Sequence, residues 1–131
     1  MKHVLVIGFG SIGQRHVRIL SELGLSVHIY SRRPLPKGKN YRSLEFALNE
    51  IKPEYVVIAN ETSEHLSTLQ KLLYFEVPQI LVEKPLFSFS ENLQEKLKSQ
   101  VCVAYNLRFH PLLEHLFSEI KGQSVLSVQV Y

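Results

Sequence analysis

The chain has no aspartate, no tryptophan, a single cysteine and only six glycines in 131 residues. All twelve acidic residues are glutamates, which excludes aspartate-built machinery such as an EF-hand loop or a Ser-His-Asp triad. Cys102 alone can form neither an internal disulfide nor a cysteine zinc cage, so a reducing compartment and no metal site are expected. No stretch approaches the roughly 20 apolar residues of a membrane span, and Met1-Lys2-His3 leads straight into a strand-like segment. Neither a signal peptide nor a membrane partner is expected, and the expected location is cytoplasmic. The Asn60-Glu61-Thr62 sequon is then a coincidence.

What the chain does contain is ordinary for a globular protein: 45% apolar and 21% charged residues, in a length that can bury about 68% of its unfolded surface. The formal charge of +3 is unevenly spread. Residues 1–42 hold eight lysines and arginines against Glu22 alone, or +7, whereas residues 43–131 hold seven against eleven glutamates, or −4. The basic part lacks the aromatic interleaving of a single-strand platform and any helix-turn-helix or zinc-finger pattern. A phosphate-bearing small ligand accounts for it, and no nucleic-acid partner is expected.

Val4-Leu5-Val6-Ile7 is a continuous apolar run of strand length, the pattern of a strand buried on both faces of a parallel sheet. A helix is expected from Ser11 to Leu23, with Ile12, Val17, Ile19, Leu20 and Leu23 near helical spacing and Gly24 as its stop. Further strands are expected over 27–30, 55–59, 80–82 and 101–105, the last holding Cys102 as a small core residue. Helices are expected over 43–51, capped by Ser43, then after a Thr62 or Ser63 cap, with Leu66, Leu69, Leu72 and Leu73, and after Ser90, with Leu93 and Leu97. Five strands alternating with helices describe an α/β, doubly wound parallel sheet of the Rossmann kind. The tail differs. Pro111 opens a helix carrying Leu112, Leu113, Leu116, Phe117 and Ile120, expected to fold back on the dinucleotide domain with Leu112, Leu116 and Ile120 inward, and Leu126, Val128 and Val130 then alternate with polar residues in an antiparallel type of strand. The expected division is a doubly wound domain over 1–110 and, over 111–131, a connecting helix with the first strand of a truncated α+β domain.

Gly8-Phe9-Gly10-Ser11-Ile12-Gly13 follows the first strand and opens the first helix, using three of the six glycines. Gly8 permits the tight turn, Gly10 lets the backbone approach a pyrophosphate, Gly13 lets helix and strand pack closely, and the helix N-terminus offers free N–H groups to the anion. A dinucleotide is the ligand this context calls for. With NAD an acidic residue should end the second strand, but Ser31-Arg32-Arg33 stands there. Two guanidiniums and a hydroxyl suit a 2′-phosphate, so NADP is favoured, with NAD possible. Glu83-Lys84-Pro85 ends the fourth strand, where open parallel sheets bind ligands. There Lys84 could bond a ribose or substrate hydroxyl and, if desolvated, shuttle protons. A cis bond between Lys84 and Pro85 is allowed.

Together with Arg15-His16, Val57-Ile58-Ala59 followed by Thr62-Ser63-Glu64-His65, and Tyr105-Asn106-Leu107-Arg108-Phe109-His110-Pro111, these segments form four motifs in order, each at a strand end. In this the whole chain resembles the N-terminal part of the Gfo/Idh/MocA oxidoreductase family, named for glucose-fructose oxidoreductase and inositol dehydrogenase. The resemblance implies that Lys84 contacts the nicotinamide ribose and the reacting substrate, with Glu83 as its supporting neighbour. It places Asn106 and Arg108 near the substrate and His65 at a helix start beside the cofactor, where capping the helix is an equal reading. Where the family commonly has Thr-Pro after the third strand, this chain has Asn60-Glu61, a departure in the loop that meets the cofactor. The family's acid-base histidine lies in an Asp-x-x-x-His-type motif of a second domain, which a chain without aspartate cannot hold.

The expected function is a nicotinamide-dinucleotide-binding domain, over 1–110, of an oxidoreductase moving a hydride between the cofactor and a hydroxyl or carbonyl carbon of a sugar, polyol or related small molecule. The expected assembly is a homo-oligomer. The rival is a non-catalytic dinucleotide-binding or regulatory module, against which Lys84, Asn106 and Arg108 weigh.

Overall fold

The computed structural model describes residues 2–36, 38–39, 41–90, 98–124 and 127. Five parallel strands, β1 (His3–Ile7), β2 (Ser26–Tyr30), β3 (Tyr55–Ile58), β4 (Gln79–Val82) and β5 (Gln100–Val103), form one sheet in the order β2-β1-β3-β4-β5. Among the described residues four α-helices accompany them: α1 (Ser11–Glu22), α2 (Leu44–Ile51), α3 (His65–Tyr74) and α4 (Pro111–Ile120). The doubly wound parallel architecture expected from the alternation of strands and helices is the one observed.

Side chains alternate across a strand, so an unbroken apolar run must meet two cores. On one face Leu5, Ile7, Val56, Ile58, Ile80 and Val82 pack with Leu44, Ala47 and Leu48 of α2 and Leu69 and Leu72 of α3. On the other, Val4, Val6, Val57 and Ala59 pack with Leu20 and Val17 of α1. Of the expected α1 stripe, Ile12, Ile19 and Leu23 are exposed; the sheet receives only the face that carries Gly13, Val17 and Leu20. Gly24 ends α1 at φ +76°, and Ser43 caps α2, its Oγ accepting the Phe46 N–H at 3.1 Å.

Three expectations need correcting. Neither Thr62 nor Ser63 caps α3; Thr62–Glu64 form a 3₁₀ turn that runs directly into it. Cys102 is exposed, because β5 is an edge strand and alternate residues of an edge strand need not meet a second layer. The helix that Pro111 opens is there, with the His110 side chain accepting the Leu112 N–H, but Pro111–Glu119 are all exposed, so Leu112 and Leu116 do not turn inward onto the sheet. The helix expected after Ser90 and the strand of Leu126, Val128 and Val130 lie outside the described residues. Among the described residues no helix is long and apolar enough to cross a membrane.

Candidate functional site

The sheet order reverses direction between β1 and β3: the chain leaves β1 toward β2 on one side and returns to β3 on the other. Helices on opposite faces leave a crevice at the C-terminal ends of such strands. It is filled by an open cavity of about 360 Å³, lined by Gly8, Gly10, Ser11 and Ile12 after β1, Tyr30 at the end of β2 with Ser31, Arg32 and Arg33 after it, and Ala59, Asn60, Glu61 and Glu64 after β3. Three separate stretches of sequence thus meet in one place because the parallel register aligns Ile7 with both Tyr30 and Ile58.

The glycines divide the labour of the turn. Gly8 sits at φ +100°, and a Cβ there would lie 2.5 Å from the Ala59 carbonyl oxygen. At Gly13 a Cβ would lie 2.2 Å from the Gly8 oxygen, so its absence lets α1 pack against the turn. Gly10 is different: nothing lies within 4 Å of where its Cβ would be, and it faces the cavity. As N-cap of α1 it has no side-chain bond to the helix, and the first turn of α1 holds no acidic residue. Unclaimed N–H groups and the positive end of the helix macrodipole therefore face open space, a fit for a pyrophosphate.

After β2, Ser31 is buried and its Oγ accepts the Arg33 N–H at 3.0 Å, shaping the turn that projects both arginines. Arg33 is exposed; Arg32 is bound to Glu61 and Glu64. After β3, the Asn60 Nδ2 donates to Thr68 Oγ1 at 3.0 Å, while its Oδ1 is buried without a partner. That orphaned acceptor belongs to a residue of the cavity lining, the surroundings in which a bound ligand completes the hydrogen bonding.

Other expected site residues stand outside this lining. Phe9 contributes its carbonyl, which accepts from the Gln14 side chain. His65 is fully buried, its Nδ1 3.0 Å from the Pro85 oxygen and its Nε2 3.2 Å from the Asn60 oxygen. It ties the segment after β3 to the segment after β4, a bracing position and not a wall of the cavity. Lys84 is exposed at the end of β4 and so is not desolvated; a cis bond joins it to Pro85. Asn106 and Arg108 lie in an exposed 3₁₀ turn, Asn106–Phe109, just past β5.

One pairing was not legible in the sequence. His16 of α1 donates from Nε2 to Glu83 Oε1 at 2.6 Å, both side chains largely buried, and the second oxygen of Glu83 accepts the Lys84 N–H at 3.3 Å. The glycine-loop helix is thereby coupled to the end of β4, across 67 residues of chain. Only the spacing Gly13 to His16, one helical turn, hinted that His16 shares the glycine's inward face.

A family model described as an oxidoreductase family with an NAD-binding Rossmann fold, Gfo/Idh/MocA, matches residues 2–107. No curated protein sequence matches the chain. Among solved structures, a UDP-N-acetylglucosamine 3-dehydrogenase from Acidithiobacillus ferrooxidans is similar at 19% identity and a TM-score of 0.75, over 91% of this chain and 44% of that one. The WlbA dehydrogenase of Thermus thermophilus, solved with NAD and UDP-GlcNAcA, gives 22% and 0.73, over 95% and 48%. The WlbA dehydrogenase of Chromobacterium violaceum, with NADH and UDP-GlcNAcA, gives 16% and 0.76, over 92% and 39%. The chain spans less than half the length of these three. Fold, glycine turn and family match agree: the chain belongs to the Gfo/Idh/MocA oxidoreductase family and carries its NAD-binding Rossmann domain.

Proposed function

We propose that the chain binds a nicotinamide dinucleotide, NADP in preference to NAD, and serves an oxidoreductase that moves a hydride between the cofactor and a hydroxyl or carbonyl carbon of a sugar-like substrate. The observation that carries this is the open cradle at Gly10, at the N-terminus of α1, with Arg32 and Arg33 on the same cavity. Gly10, Ser11 and Ile12 would hold the pyrophosphate, and Ser31, Arg32 and Arg33 the adenosine ribose with its 2′-phosphate. The dinucleotide supplies the hydride chemistry when bound.

The protein's own part is to position the cofactor and the reacting group. Glu83, held by His16, fixes the backbone of Lys84, whose ammonium projects from the end of β4 toward solvent on the ligand side of the sheet. Lys84 would bond the reacting hydroxyl, with Asn106 and Arg108, past the neighbouring strand end, contacting the same substrate. Sugar nucleotides are the substrate class to test first, since the dehydrogenase structures from Thermus and Chromobacterium hold UDP-GlcNAcA. The domain reading stays at 1–110 for the dinucleotide unit and 111–131 for a connecting helix with the first strand of a substrate domain, the helix part supported by the exposure of α4.

Titration calorimetry with NADPH and NADH tests the cofactor reading. Tighter binding of NADPH, weakened by Arg33→Ala, is expected; a charge-assisted contact is worth about 1.5–3 kcal/mol. Equal affinities insensitive to Arg33→Ala would show the arginines to be surface charge. A non-catalytic dinucleotide-binding module is the second reading, favoured by the exposure of Lys84, Asn106 and Arg108. Nicotinamide absorbance in the presence of oxidised cofactor and a panel of sugars and sugar nucleotides separates the two.

A further inference from the structure

Arg32 is offered to the 2′-phosphate, yet it is not a free cation. Its Nη2 lies 3.0 Å from Glu61 Oε2 and 2.8 Å from Glu64 Oε2. Both carboxylates come from the segment that follows β3, and all three residues line the cavity with Arg33. Together the four charges sum to zero. Lys71, the other cation on the lining, is paired with Glu45.

A 2′-phosphate brings about two negative charges near neutral pH, whereas the ribose hydroxyl of NAD brings none. Carboxylates that close to Arg32 therefore oppose NADP and leave NAD unaffected by charge. They also offer what a free ribose diol needs, an acceptor, which in dinucleotide folds commonly comes from an acidic residue at the end of the second strand. Here that strand ends in Tyr30-Ser31, and Glu61 and Glu64 reach the same place from the neighbouring strand end.

We propose that Glu61 and Glu64 are specificity-determining residues for the cofactor: they compensate Arg32 and set how far NADP is preferred over NAD. The inference rests on the dinucleotide reading above. Glu61 and Arg32 are about two-thirds exposed and Glu64 about one-third; ion pairs this accessible add little to stability, and glutamine keeps an oxygen that can accept the 3.4 Å bond from Asn60 Nδ2 to Glu64, so the fold tolerates both substitutions.

Nicotinamide fluorescence titrations of the chain, Glu61→Gln, Glu64→Gln and the double variant with NADPH and NADH provide the test. Each substitution should raise the NADPH-to-NADH affinity ratio by about threefold to fivefold, the upper range for an exposed pair, and the gain should shrink at high salt. A ratio that stays constant or falls overturns the proposal, the glutamates then serving only to hold Arg32 in place. Failure of the unmodified chain to bind either dinucleotide would instead overturn the reading beneath it, a separate and recognisable result.

Discussion

Gly10 and Gly13 stand three residues apart and meet opposite surroundings, which makes them separable by substitution. Gly13→Ala drives a methyl to 2.2 Å from the Gly8 carbonyl, a backbone atom that cannot swing away. Overpacking of this kind costs about 1–3 kcal/mol, so a lower melting temperature and weak cofactor binding are both expected. Gly10→Ala meets no protein atom, and its φ of −75° suits any residue. Here the melting temperature should hold while dinucleotide affinity falls, since the methyl occupies ligand space. Thermal melts with and without NADPH distinguish the two; an equal loss of stability in both would remove the argument that Gly10 is reserved for a ligand. At this scale the placement of Gly8, Gly10 and Ser31-Arg32-Arg33 around one crevice was legible, because it follows from position in a strand-turn-helix. The compensation of Arg32 was not, because Glu61 and Glu64 are 29 and more residues away and meet it only through the β1–β3 register.

Between elements, the N-terminal edge of the sheet contains a titrating cluster. His28 of β2 lies 3.1 Å from His3 of β1 and 3.3 Å from the Tyr41 hydroxyl. Burial, then the neighbouring His3, holds the His28 imidazole below its ordinary value of 6.5. A histidine whose folded value is depressed binds fewer protons folded than unfolded, so its contribution is fully present above pH 6.5 and is lost as the pH falls through 6.5 toward the lowered value. Melting temperature should therefore drop from pH 7.5 to pH 5, and His28→Gln should flatten that slope. An unchanged slope in the variant would place the sensitivity elsewhere. Helices α1 and α2 were read correctly from their stop and cap residues, whose chemistry is local. The start of α3 was misplaced because Thr62 and Ser63 are both good caps by type, and the 3₁₀ turn that carries His65 under Pro85 answers to a distant contact.

Across the whole molecule the most conspicuous feature is an apolar surface at its C-terminal side. Leu107, Phe109, Leu112, Leu113, Leu116 and Phe117 are between 42% and 73% exposed and lie on the 3₁₀ turn after β5 and on α4, which pack on one another. Scattered exposed apolar residues are normal; six clustered on two adjoining elements favour association. Light scattering should show concentration-dependent self-association, reduced by Leu116→Glu with Phe117→Glu, while a strictly monomeric chain at tens of micromolar would contradict it. Charge reversal on an exposed helix face should leave the sheet intact, which far-ultraviolet circular dichroism checks.

By itself the sequence determined the strand-helix alternation, the glycine turn and the stops and caps of its first helices, since each depends on residues within one or two turns of chain. Tertiary structure alone decided which cations are compensated, which histidine holds Glu83, that His65 is a buried brace, and that Cys102 and the face of α4 are exposed. The reason is geometric: β2, β1 and β3 are neighbours at one crevice although their ends lie 23 and 28 residues apart along the chain. Side-chain pairing there depends on parallel register, and an edge strand or an uncovered helix carries the same apolar residues as a buried one. Local pattern records the residue types; only the fold settles what stands opposite them.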